Sequence, residues 1–260
     1  MAAAFYEPDG ELFFATESTR GPWDPDSQHA GPPAALLGRE IERVGNGVEA
    51  EGHIGRITFE ILRPVPITAL RVAAEVIRPG RRVELIEGRL SDREGAVLIR
   101  ARAWRLRGVP VPVEASPAEP LPGPEAGVEG EYFPTGQEVG YHTAIEYRFL
   151  EGGFTEPGPA RVWMRMREPL VAGEEPSQLQ RVVAVADSAN GVSSALDWRR
   201  YQFVNVDLTV QLERLPRGEW VFLDAVTLPQ PQGVGTADAL LLDGDGRFGR
   251  AMQTLLVSVR

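Results

Sequence analysis

The sequence predicts an α+β protein made of two copies of one unit, each a helix followed by a long antiparallel sheet. Three observations carry this. Apolar residues switch twice along the chain from helical spacing to strict alternation. The two halves align at a constant offset over their sheets. A stretch dense in proline and glycine lies between them.

In chain order, residues 1–28 read as irregular, with an aromatic start and the turn-rich string RGPWDPDSQ. GPPAALLGREIERVG then reads as a helix. Pro32 and Pro33 suit its first turn, where a missing N–H costs nothing. Ala34 to Leu37, Ile41 and Val44 form its apolar stripe, and Gly45 ends it. RITFEILRPVP, LRVAAEVIRPG, RRVELIEGRLSD and AVLIRARAWRLR follow as four strands with one buried face. Residues 108–131, GVPVPVEASPAEPLPGPEAGVEGE, keep no periodicity and read as a linker. Two strands come next, TAIEYRFLEGG and ARVWMRMREPL, then a helix in EPSQLQRVVAVADSANGV that ends near Asn190-Gly191. FVNVDLTVQLERL, GEWVFLDAVTL, GVGTADALLLDG and RFGRAMQTLLVSV close the chain as four strands.

Thr58 and Thr209 are 151 residues apart, as are Arg63 and Arg214, Asp92 and Asp243, and Gly95 and Gly246. ITFEILR lies over LTVQLER, and GRLSDREG over ALLLDGDG. A shared register that includes hairpin turns is the mark of duplication. The expected organisation is therefore a first unit at 1–107, the linker at 108–131 and a second unit at 132–260.

Composition narrows the function. The net charge of −10 lacks the basic footprint of a nucleic-acid binder. Arg78, Arg81 and Arg82 form one local basic cluster, read as a solvated turn. No apolar run reaches the roughly 18 residues of a membrane span, and MAAAFYEPDGELFF has no basic start typical of a secretory signal. Cysteine is absent and only three histidines occur, His29, His53 and His142. Disulfides and thiolate chemistry are excluded, a histidine-rich metal site is disfavoured, and a reducing cytoplasm fits.

Several segments, in this order, resemble the thioesterase-like relatives of the acyl-CoA thioesterase II family. They are PWDPDSQHAGPPAALLGREIER, RPVPITALRVAAEVIRPGRRVELIEGRL, VVAVADSANGVSSALDW, FVNVDLTVQLERLPRGEW and DGDGRFGRAMQTLLV. The resemblance covers nearly the whole chain. It implies a double hotdog fold, a role in fatty acid metabolism, and hydrolysis of acyl-CoA thioesters by water with no covalent intermediate. No cofactor or metal is expected, and exposed sheet edges leave a homo-oligomer open. The family's catalytic trio is an aspartate near the second helix, a threonine or serine on the next strand, and a glutamine on the last strand. Asp187 and Gln253 match two of these. The hydroxyl position falls on Asn205, and Thr209, four residues on and the nearest hydroxyl on the same strand face, is the alternative.

Thioester hydrolysis needs an oriented water, a base and donors for the oxyanion. A carboxylate can serve as the base, and the Gln253 amide can hold the water. The first helix starts at Ala30-Gly31-Pro32, so the N–H of Gly31 or a neighbour is the expected oxyanion donor. His29, just before it, can touch substrate or cap the helix. Each residue also has a plainer reading: Asp187 as a polar helix end, Gln253 as a buried amide, Asn205 and Thr209 as strand surface, Trp23 as an apolar plug. Two other functions stay open, a non-catalytic acyl-CoA binder and a hotdog hydratase or dehydratase. The latter carries an Asp-His pair, and no histidine lies within a turn of Asp187. At the same offset the first copy has Leu36, Ile54, Thr58 and Arg102, so one active site per chain is expected.

Overall fold

Thr58 and Thr209 face each other across two central antiparallel strands, their hydroxyl oxygens 3.1 Å apart. Since these residues are equivalent in the repeat, an approximate twofold axis passes between them. A computed structural model describes residues 3–44, 52–114, 120–132 and 134–260. Gly45, the expected helix stop, lies outside the described residues, and the helix is described to Arg43.

The first copy contains β1 (Tyr6–Asp9), β2 (Leu12–Ala15), α1 (Gly31–Arg43), β3 (His53–Ile61), β4 (Ala69–Arg78), β5 (Val83–Ser91) and β6 (Val97–Leu106). The second contains a short helix α2 (Tyr141–Ala144), then β7 (Ile145–Gly153), β8 (Glu156–Met166), α3 (Gln178–Ala186) and α4 (Ala189–Val192). It ends with β9 (Tyr201–Asn205), β10 (Asp207–Leu212), β11 (Val221–Pro229), β12 (Val234–Asp243) and β13 (Gly246–Val259). All strands join one antiparallel sheet ordered β1-β2-β4-β5-β6-β3-β10-β13-β12-β11-β8-β7, with β9 also on β13.

The N-terminal segment corrects the expectation of an irregular start. β1 and β2 form a hairpin around Asp9-Gly10, with Gly10 at φ +60°, and β2 pairs with β4 as β8 pairs with β11. The hairpin is thus the first copy's version of β7–β8. Pro8 is tolerated because β1 is an edge strand.

The helices lie inside the curved sheet and pack on each other. Leu36, Leu37 and Ile41 of α1 and Val182 and Val183 of α3 are fully buried, each contributing about 1.5–3 kcal/mol through loss of apolar surface. A Cβ on Gly31 would lie 2.3 Å from the Ala184 carbonyl oxygen, so only glycine permits this approach of α1 to α3. The segment after β6 crosses the outside of β7–β8, where Trp163 donates to the Pro122 carbonyl and Val128 bridges Phe149.

Two one-residue irregularities matter for the site. Asn205 stands opposite Leu255 and Thr209 opposite Met252, so four steps on one strand face three on the other: a β-bulge at Val206. Beyond the β5–β6 turn the offset between copies also changes. Arg102 is opposite Thr58 and Met252 opposite Thr209, so the offset there is 252 − 102 = 150. The first copy's turn has one residue more.

Candidate active site

Asp187 ends α3 and is 3 % exposed. An acid at a helix C-terminus is electrostatically unfavourable, and its surroundings offset this. Asn205 Nδ2 donates to Asp187 Oδ1 at 2.7 Å, and Gln253 Nε2 donates to the same oxygen at 3.1 Å. Gln253 Nε2 also donates to the Asp187 carbonyl at 2.9 Å, while its Oε1 accepts from the Asn190 N–H at 3.2 Å. The glutamine amide therefore stands in the helical ladder between Asp187 and Asn190. That is why the expected single helix over 175–192 is divided into α3 and α4.

Asp187 Oδ2 points the other way, 3.2 Å from His29 Nδ1. His29 Nδ1 is also 3.1 Å from the Gly31 N–H, which donates to it. One ring nitrogen cannot accept from Gly31 and donate to Asp187 together, so these contacts belong to two tautomers. The imidazole stacks on Tyr141 at 3.7 Å and 4°. The Tyr141 hydroxyl donates to the Ala184 carbonyl and shares a hydrogen bond with Ser188. Burial lowers the His29 pKa against the opposing charge of Asp187, and burial holds the Tyr141 hydroxyl well above its ordinary value against the smaller effect of its Ser188 hydrogen bond. Both rings are thus neutral near pH 7.

A cleft of about 430 Å³ opens onto this group. His29, Ala30, Asp187, Ser188, Asn190 and Asn205 line it. So do Trp23, Asp24, Arg63 and Gln202, and the rings Tyr132, Tyr147 and Phe154. The Trp23 ring packs edge-on against Phe203 at 5.0 Å, with Arg260 over it.

Of the six residues expected in the site, Asp187, Gln253, Asn205 and His29 come together. Thr209 does not. The bulge reverses the alternation, so Thr209 shares the outer sheet face with exposed Met252, and its hydroxyl meets Thr58 on the axis. Gly31 is buried against α3, and its N–H is directed to His29, so it is a packing residue beside the cleft. Gln253 is 2 % exposed with both ends of its amide engaged, so it grips Asp187 rather than a water. The counterpart of Gln253 is Ala103, not Arg102, because of the 150-residue offset, 253 − 103. Sequence reasoning missed Asn190, Tyr141 and Asp207. The last accepts from the Thr254 N–H and so closes the bulge; an aspartate two residues after Asn205 was the only signal for it.

The fold and the cleft define a double hotdog protein with a polar site at the end of α3. A family model of acyl-CoA thioesterase C-terminal domains matches residues 114–257, and one of the N-terminal domains matches residues 19–106. The chain belongs to the acyl-CoA thioesterase family and is a thioester hydrolase. No curated protein matches it in sequence. Among solved structures it is similar to a hot dog fold protein of unknown function from Alicyclobacillus acidocaldarius, at 15% identity and TM-score 0.73, covering 98% of this chain and 96% of that one. It is also similar to an acyl-CoA thioesterase II, TesB2, from Mycobacterium marinum, at 14% identity and TM-score 0.68, covering 98% and 94%. These likenesses show the fold. Among the described residues no helix is long and apolar enough to cross a membrane.

Proposed function

We propose that the cleft hydrolyses acyl-CoA thioesters by direct attack of water, with Asp187 as base, Asn205 holding the water and Gln253 holding Asp187. The observation that carries this reading is the division of labour at the carboxylate. Two amide donors fix Oδ1, while Oδ2 faces His29 on the cleft side. A fixed carboxylate with one oxygen toward the substrate suits a general base.

In this reading the water lies between Asp187 Oδ2 and Asn205 Oδ1, which has no donor among the described residues and accepts a hydrogen bond from the O–H that the water keeps. The water oxygen bonds to the thioester carbon and its first proton passes to Asp187. The tetrahedral intermediate then expels the thiolate, which takes the proton back. The oxyanion is met by backbone and amide donors at the cleft wall. The Ala30 N–H serves better than that of Gly31, since it has no acceptor among the described residues and Ala30 lines the cleft. Pro32 and Pro33 supply no N–H, so the helix start offers few others.

The test is a single turnover with protein in excess over acyl-CoA, in ¹⁸O-water. Label in the released acid on the first turnover is expected. Label in the Asp187 carboxylate, with the first acid unlabelled, would make Asp187 a nucleophile and overturn direct attack. Tight acyl-CoA binding with no thiol released would make the cleft a binding site only.

A further inference from the structure

The cleft lining is of two kinds. Asp24, Arg63 and Gln202 are exposed, whereas Tyr147 and Phe154 are each 5 % exposed. The exposed lining suits the carrier, and the buried lining suits the acyl group. That buried lining is a wall of rings. Phe154 meets Tyr132 at 4.3 Å and Tyr147 at 4.8 Å, both edge to face, and Tyr132 lies 6.2 Å from Tyr147. Each of the three rings lines the cleft. Burial holds the Tyr147 hydroxyl protonated, and among the described residues it has no hydrogen-bond partner.

We propose that the acyl group accepted by this site ends in an aromatic ring bearing an oxygen substituent, with Tyr147 donating to that oxygen. This rests on the reading of the cleft as the thioester-hydrolysing site. Rings that already meet edge to face offer a fourth ring the same geometry, which a flexible alkyl chain cannot use. A hydroxyl that a bound ligand removes from water also selects for a ligand that can accept its hydrogen bond, since an apolar ligand leaves it unpaired.

Thiol release from four thioesters tests this: cyclohexylacetyl-, phenylacetyl-, 4-hydroxyphenylacetyl- and hexanoyl-CoA. The expected kcat/KM for phenylacetyl-CoA is several-fold above that for cyclohexylacetyl-CoA, which has a six-membered ring of similar size without the π-system. Tyr147→Phe, a change that keeps the ring, is expected to lose about five- to tenfold more on 4-hydroxyphenylacetyl-CoA than on phenylacetyl-CoA. Equal losses on the two aromatic substrates, or a preference for hexanoyl-CoA, would overturn the inference while leaving the hydrolytic reading intact. No thiol release from any of the four would overturn both.

Discussion

α1 and the α3–α4 pair occupy equivalent places in the two copies, and the sheet beneath them is filled in opposite ways. Under α1 the inward positions are Ile54, Ala103 and Arg105; under α3 the equivalents are Asn205, Gln253 and Leu255. Arg105 is 2 % exposed and donates to the carbonyls of Ile41, Glu42 and Val44, with Glu84 beside it. A cation on free carbonyls is the favourable way to finish a helix. Under α3 the residue at the Arg105 position is apolar, and the helix ends on an aspartate held by two amides. One copy closes its helix end for stability, whereas the other leaves it unneutralised and open to a cleft. A second pair of equivalents diverges likewise. Arg214 forms a bidentate pair with buried Asp243 at 2.6 and 2.7 Å, whereas Arg63 has no ion pair among the described residues and faces the cleft. In the proposed function, duplication allowed one copy to act as scaffold while the other carried chemistry.

Five substitutions break or sharpen this comparison. Gln253→Leu, nearly the same volume, removes the grip on Asp187 and leaves the Asn190 N–H without its acceptor. A kcat loss of about 10²-fold is expected, with a much smaller change in KM, measured by thiol release. Arg105→Met leaves three helix carbonyls unsatisfied in the opposite copy. It is expected to destabilise the protein by about 3 kcal/mol in denaturant titration, without removing any group that lines the cleft.

His29 gives a pH-dependent contrast. Its folded pKa lies below the ordinary 6.5 because burial disfavours the imidazolium. Below about pH 6.5 the unfolded chain binds the proton more readily, so stability is complete above that pH and falls as pH drops toward the folded value. Half-buried His142 is shifted the same way and adds to the effect. His29→Gln is expected to flatten, not abolish, the acid limb of a melting-temperature profile. The smallest effect is expected for Thr209→Val, which removes one half-exposed hydroxyl contact on the axis. Activity within about twofold of the parent and a stability change below about 1 kcal/mol are expected. Asn205→Ala, measured beside it, is expected to lose about tenfold or more in kcat.

Much of this fold is legible in the alternation of the strands, because a sheet with one face buried must place apolar residues at every second position. The repeat is legible for the same reason, and Asp187, Asn205 and Gln253 follow from family resemblance. Thr209 shows where pattern reading ends. Alternation places it on the face of Asn205, but the bulge at Val206 reverses the faces, and no period reports one extra residue. The missing residue in the second copy's β12–β13 turn misassigns the counterpart of Gln253 in the same way. The β1–β2 hairpin was signalled by Asp9-Gly10 between apolar residues, yet its strands are too short to show a period. Both hydrogen-bonding ends of the Gln253 amide are used up across 66 and 63 residues of sequence, a closure that only the folded chain brings about.

The central claim is that the chain has one hydrolytic site, at the end of α3. Asp187→Asn tests it most directly, since the amide keeps the volume of the carboxylate and removes the base. Thiol release from acyl-CoA is expected to fall by at least about 10²-fold, with the far-ultraviolet circular dichroism spectrum unchanged. A loss of less than about threefold in a folded Asp187→Asn protein would contradict the account.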